Sequence, residues 1–95
     1  MSQPIGRPMS GARYIVERAE SSEGSVVYRG LVRLPDADLP LEVTVTLPGG
    51  ATRAVVQGDA AADHEKTAAA LIRAATKSAV AAGEELPRKV ERWRG

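Results

Sequence analysis

Two stretches in which apolar residues recur at every second position, flanked by two shorter runs rich in β-branched and apolar residues and followed by one long alanine-rich stretch, set the plan of this chain. The clearest alternation is LPLEVTVTL, where Leu41, Val43, Val45 and Leu47 are interleaved with Glu42, Thr44 and Thr46. Successive strand side chains point to opposite faces, so this segment predicts a strand with one buried face and one wet face. Upstream, SVVYRGLVRL (25–34) places Val26, Tyr28, Gly30, Val32 and Leu34 on one side and Ser25, Val27, Arg29, Leu31 and Arg33 on the other. The first set is the core set. A glycine inside such a run marks a bulge or a close approach by another backbone, so Gly30 is singled out. Tyr14, Ile15 and Val16 predict a strand over residues 12–20, closed by the hairpin cluster Ser21-Ser22-Glu23-Gly24. Pro35 to Asp38 and Pro48-Gly49-Gly50 read as turns, and TRAVVQ (52–57) returns as a fourth strand of a meander.

After Gly58 the period changes. Asp59 is the predicted N-cap of a helix from Ala60 to Ala82, with Gly83 as the left-handed residue that ends it. On the helical repeat Ala61, Ala68, Leu71, Ile72, Ala75, Ala79 and Ala82 share one stripe, and Lys66, Arg73 and Lys77 cluster opposite it. Leu71 and Ile72 are the expected anchors against Tyr28, Val43 and Val45. The segment after Gly83 is open to three forms. Pro87 can start a short helix in which Leu86, Val90 and Trp93 form a ridge, and a fifth strand or a tail are the alternatives. The fold class predicted is therefore α+β: an antiparallel β-meander of three to four strands, then one long Ala-rich helix packed on one sheet face, with a short C-terminal helix as an option. Residues 1–12 read as a flexible arm, 13–83 as a single domain and 84–95 as a basic C-terminal segment.

Composition thins this picture. Of 95 residues there is no Phe, and Tyr14, Tyr28 and Trp93 are the only aromatics, so Ala, Val and Leu must build the core. A chain of this size buries about 60% of its unfolded surface, and alanine adds little per residue, which leaves room for a partner or a second copy to add burial. The formal net charge of +1 is far from that of a dedicated nucleic-acid binder. Only the end of the chain is biased, with Arg88, Lys89, Arg92 and Arg94 against Glu91. The absence of cysteine excludes disulfides, thiolate metal sites and a cysteine nucleophile, and fits a reducing compartment. Residues 1–12 contain no apolar signal core, and no run approaches the roughly 20 apolar residues of a membrane span. The expected setting is cytoplasmic, with no membrane partner.

Chemistry finds little purchase. His64 is the only histidine, its neighbours Asp63 and Glu65 project away from it around the helix, and it is expected to cover the core edge or bond a loop carbonyl. Asp36 with Asp38, Asp59 with Asp63 and Glu84 with Glu85 suit turns and caps and complete no metal loop. Gly49-Gly50 lacks a phosphate-binding Lys-Ser/Thr and a following helix. The expectation is no enzyme, no cofactor, no metal and no small-molecule substrate.

Two features remain. The side of the sheet away from the helix would carry Ile15, Val27 and Leu31, apolar residues that need cover from a partner, a second copy or the C-terminal segment. The functional expectation is thus a small non-catalytic binding module that self-associates or docks on a protein through the sheet face or an edge. The alternative is a nucleic-acid-binding accessory protein. It would use Lys66, Arg73 and Lys77 on the helix with Arg88, Lys89, Arg92 and Arg94 on phosphates and Trp93 stacking on a base.

Overall fold

The structure, a computed structural model, describes residues 11–58 and 61–94, together with the backbone but not the side chain of Ala61. Residues 1–10 of the expected arm and the expected cap Asp59 lie outside the described residues. Ala12, counted with that arm, is buried as the first residue of β1.

The elements run β1 (Ala12–Ser21), β2 (Ser25–Arg33), β3 (Asp38–Thr46), β4 (Ala51–Val56), α1 (Ala61–Ala82) and β5 (Lys89–Arg94). One antiparallel sheet contains all five strands in the order β4-β3-β2-β1-β5. The meander and the long helix stand as predicted, but there are five strands rather than three to four, and 84–94 holds no C-terminal helix. The reason is the open edge of β1. A helix of one or two turns is marginal in water, whereas β5 satisfies the outward backbone groups of β1, starting with Arg18 N–H to Arg88 O at 2.7 Å, and buries Val90 opposite Val16.

Gly83, at φ +66°, ends α1. Glu84 N–H reaches Ala79 O at 2.9 Å and Gly83 N–H reaches Val80 O at 3.2 Å, the paired bonds of a Schellman motif. The chain then crosses one end of the sheet. Leu86 is buried there, Tyr28 Oη donates to Pro87 O at 2.6 Å, and Arg18 donates to Leu86 O at 2.7 Å. This crossover carries the chain from the β4 side, where α1 mainly packs, to the β1 side.

The core lies between α1 and the sheet face bearing Val16, Tyr28, Val32, Val43 and Val45, all fully buried. From the helix it receives Ala68, Ile72 and Thr76. Leu71 is only half-buried and Ala82 is exposed, so the buried stripe is rotated from the predicted one toward Thr76. A buried threonine is tolerated because its hydroxyl donates back to Ile72 O at 2.9 Å. Gly30 is the predicted close approach: it pairs with Val16, and a Cβ there would stand 1.8 Å from Ile15 O. The bulge belongs to β1, between Arg18 and Glu20. No helix among the described residues is long and apolar enough to cross a membrane.

Candidate functional site

Directly paired residues share a face, so the register maps the outer face, the one away from α1. Ile15, Leu31 and Pro40 form one row across β1, β2 and β3, with Glu91 at its β5 end. The adjacent row reads Val55, Glu42, Arg29, Glu17, Lys89 from β4 to β5. Val27 follows beside Thr44, and on the other side of the apolar row Arg13, Arg33 and Asp38 run to Trp93. Ile15, Val27 and Leu31 are half-buried within the sheet, while Val55 is 46% and Trp93 57% exposed.

The C-terminal segment does not cover this face, which corrects one of the covers expected for it. Strand alternation sends Val90 to the core and only adds Lys89, Glu91 and Trp93 along the outer margin, and Leu86 is spent at the crossover. Among the described residues no element packs over this face.

Its charges are balanced and largely paired. Arg13, Arg29, Arg33, Arg53 and Lys89 supply five cations, and Glu17, Glu20, Asp38, Glu42 and Glu91 five anions. Arg29 bonds Glu42 at 3.0 Å and also Glu20, and these two carboxylates raise its pKa. Arg13 donates through Nε to Glu91 at 3.1 Å, which holds the Glu91 carboxyl below its ordinary range, and its guanidinium lies 5.2 Å from the centre of the Trp93 ring. Arg33 stands 3.4 Å from Asp38. Exposed pairs like these contribute little stability, but they leave few cations free for phosphates.

The other basic residues are dispersed. Arg92 and Arg94 pair with Tyr14 and Ala12, on the helix side of the sheet, whereas Lys89 and Trp93 occupy the outer face. The expected clamp of arginines around a stacking tryptophan is thereby split by the pleat. Arg88 is exposed at the end of the crossover. Lys66, Arg73 and Lys77 are exposed on α1, and Arg73 and Lys77 line a groove against the β3–β4 hairpin, across the sheet from β5.

His64 meets a side chain that sequence reasoning missed. Its Nδ1 lies 3.0 Å from Tyr14 Oη, not against a loop carbonyl, with Asp63, Thr67 and Arg94 around the same shallow depression. Tyr14 and His64 are fifty positions apart on different elements, and no signal in the sequence joins them. Among the described residues no group of three or more His, Asp or Glu side chains is placed to hold a metal ion.

Burial raises the pKa of both tyrosines, Tyr14 and Tyr28, with Thr67 and Arg94 partly offsetting it at Tyr14 and Arg18 at Tyr28. Each native value thus lies above the unfolded value of about 10, so their contribution to stability is full below that pH and is lost as pH rises through the native values. Because these are the only tyrosines, the phenolate absorbance of the folded chain is expected to rise at higher pH than that of the urea-unfolded chain, whose midpoint lies at about 10. A folded-chain midpoint at or below the unfolded one would contradict the burial of the two hydroxyls.

The architecture defines a class, an α+β domain of one five-stranded antiparallel sheet with a single covering helix. Compared with known proteins, the chain matches no family model, and no curated protein or solved structure matches it significantly.

Proposed function

We propose that this protein is a non-catalytic binding module that self-associates through the outer face of its sheet. The observation that carries the reading is the order of residues across that face. In the row Glu42, Arg29, Glu17, Lys89 the sign alternates from strand to strand. A second copy related by a twofold axis parallel to the strands would set Arg29 over the partner copy's acidic position 17 and Glu42 over its basic position 89. The neighbouring row would then bring Leu31 against the copy's isoleucine at 15. Opposite charges meet at every step of that row and Leu31 meets isoleucine in the next, while one row further Arg33 falls over the copy's arginine at 13, a contact tempered because Arg33 already pairs with Asp38 and Arg13 with Glu91. The four strands that overlap in this arrangement, β3, β2, β1 and β5, are 9, 9, 10 and 6 residues long and about 4.8 Å apart, offering about 500 Å² per copy against the roughly 800 Å² per partner of a standard interface, which fits a weak, concentration-dependent dimer. Sheet-on-sheet packing would also complete a core that is thin in large side chains.

Leu31→Glu places a carboxylate in the apolar row, and burying it unpaired costs several kcal/mol. The expected result in analytical ultracentrifugation is a dimer for the native sequence and a monomer for Leu31→Glu, with the same circular dichroism. A native chain that stays monomeric up to about millimolar concentration, where only very weak association would go undetected, would sink the reading. The nucleic-acid alternative predicts quenching of Trp93 by mixed DNA or RNA that salt reverses; the pairing of the outer-face cations and the split of Arg92 and Arg94 from Trp93 weigh against it.

A further inference from the structure

The two edges of the sheet are not alike. β5 presents Lys89, Glu91, Arg92 and Arg94 along its edge, the dense charge that discourages strand addition, whereas β4 carries Arg53 alone among six residues. In an antiparallel strand alternate residues turn their N–H and C=O groups inward and outward. Gln57 N–H points inward to Pro40 O at 3.1 Å, so Thr52, Ala54 and Val56 turn theirs outward. The outward Val56 N–H is capped at 2.8 Å by the Glu65 carboxylate of α1. Among the described residues the edge at Thr52 and Ala54 has no such cap.

This open stretch adjoins a groove. Gly50, the residue before β4, packs against Val80, and from there a groove of about 880 Å³ runs between the β3–β4 hairpin and α1, floored by small side chains such as Ala70, Ala74 and Ala81. Among the described residues the charged ones lining it are Arg73 and Lys77, both cations. A strand edge beside a helix flank is the geometry in which an added strand gains backbone bonds from one side and side-chain contacts from the other.

We infer that the β4 edge and the adjoining α1 groove accept an extended acidic segment of another protein, added as a sixth strand beside Thr52 and Ala54. Charge chooses the occupant. Arg73 and Lys77 line the groove with no acidic side chain among its described lining residues, and Arg53 adds a cation on the outer side of the same edge. A second copy brought edge to edge would set the same three cations against themselves. The chain's own residues 1–10 contain no acid and include Pro4 and Pro8, which cannot supply a continuous ladder of donors. The alternate side chains that turn toward α1 meet Arg73 and Lys77 and are acidic, and those that turn to the outer face lie beside the exposed Val55 and are valine-like or threonine-like.

The test is fluorescence anisotropy of the full chain with a labelled ten-residue peptide of alternating valine and glutamate. Its valine–lysine counterpart and a mixed ten-nucleotide DNA serve as comparisons. Expected are saturable binding of the acidic peptide and a loss of about tenfold or more, about 1.4 kcal/mol, on Arg73→Glu with Lys77→Glu, and on Ala54→Pro, which deletes an outward donor. Leu31→Glu, on the opposite face, should bind the peptide normally, so this site and the self-association surface stand or fall separately. If Ala54→Pro fails to fold, the exposed Arg73 and Lys77 reversals decide alone. The inference is overturned by no binding up to about a millimolar, by binding indifferent to the charge reversals, by equal binding of the lysine peptide, or by DNA binding as tightly through the same cations.

Discussion

Gly30→Ala is expected to lower the stability of the folded chain by about 3 kcal/mol or more, a large part of the roughly 5 kcal/mol that a domain of this size holds. Gly30 sits in β2, between Val16 of β1 and Leu41 of β3. A Cβ there would meet Ile15 O at 1.8 Å, and Ile15 C and Val16 Cα at 2.8 Å, all of them backbone atoms. No rotamer change relieves such contacts; β1 must move, and with it the pairing of β1 to both β2 and β5. The check is urea denaturation followed by circular dichroism, with Gly24→Ala as the control, since nothing lies within 4 Å of a Cβ at that turn. Equal midpoints for the two variants would mean that β1 and β2 do not approach as described.

The second large effect is expected at Ile72. Its side chain is fully buried in the layer between α1 and the sheet, beside Ala68 and Thr76. Alanine and threonine are too short to collapse into the space a truncation leaves, so Ile72→Ala should cost about 2–5 kcal/mol, the range for large-to-small changes in a core. Leu71→Ala, at a half-buried position one residue away, should cost markedly less. Similar losses at the two positions would place the buried stripe of α1 where simple periodicity puts it, rather than rotated toward Thr76.

That rotation shows what the amino-acid pattern could and could not convey. The strands at 25–33 and 38–46 were legible because one of their faces is wet, so the apolar period of two survives in the sequence. Gly83 was legible as a helix end because a left-handed φ, here +66°, suits glycine best. Thr76 was not, since its burial depends on a hydroxyl satisfied within its own helix. β5 was ambiguous for a different reason: Leu86, Val90 and Trp93 fit a helical ridge as well as Val90 fits a strand, and the decision comes from the unpaired edge of β1, some seventy residues earlier. The outer face was legible as an uncovered surface with Ile15, Val27 and Leu31 on it. Its alternating row of charges appears only once the register of four strands is known, because no two of those residues are close in the chain.

The pairing of Ala12 with Arg94 sets the points where the described chain enters and leaves the sheet side by side, about 5 Å apart at the backbone. Tension applied between these points pulls β5 away from β1 as a zipper, loading one pair of hydrogen bonds at a time rather than the whole ladder in shear. The domain should therefore yield mechanically at low force from that end, with β5 peeling first and the four-stranded meander under α1 left behind. The same adjacency lets the entire unit be spliced into a surface loop of another protein without stretching its host.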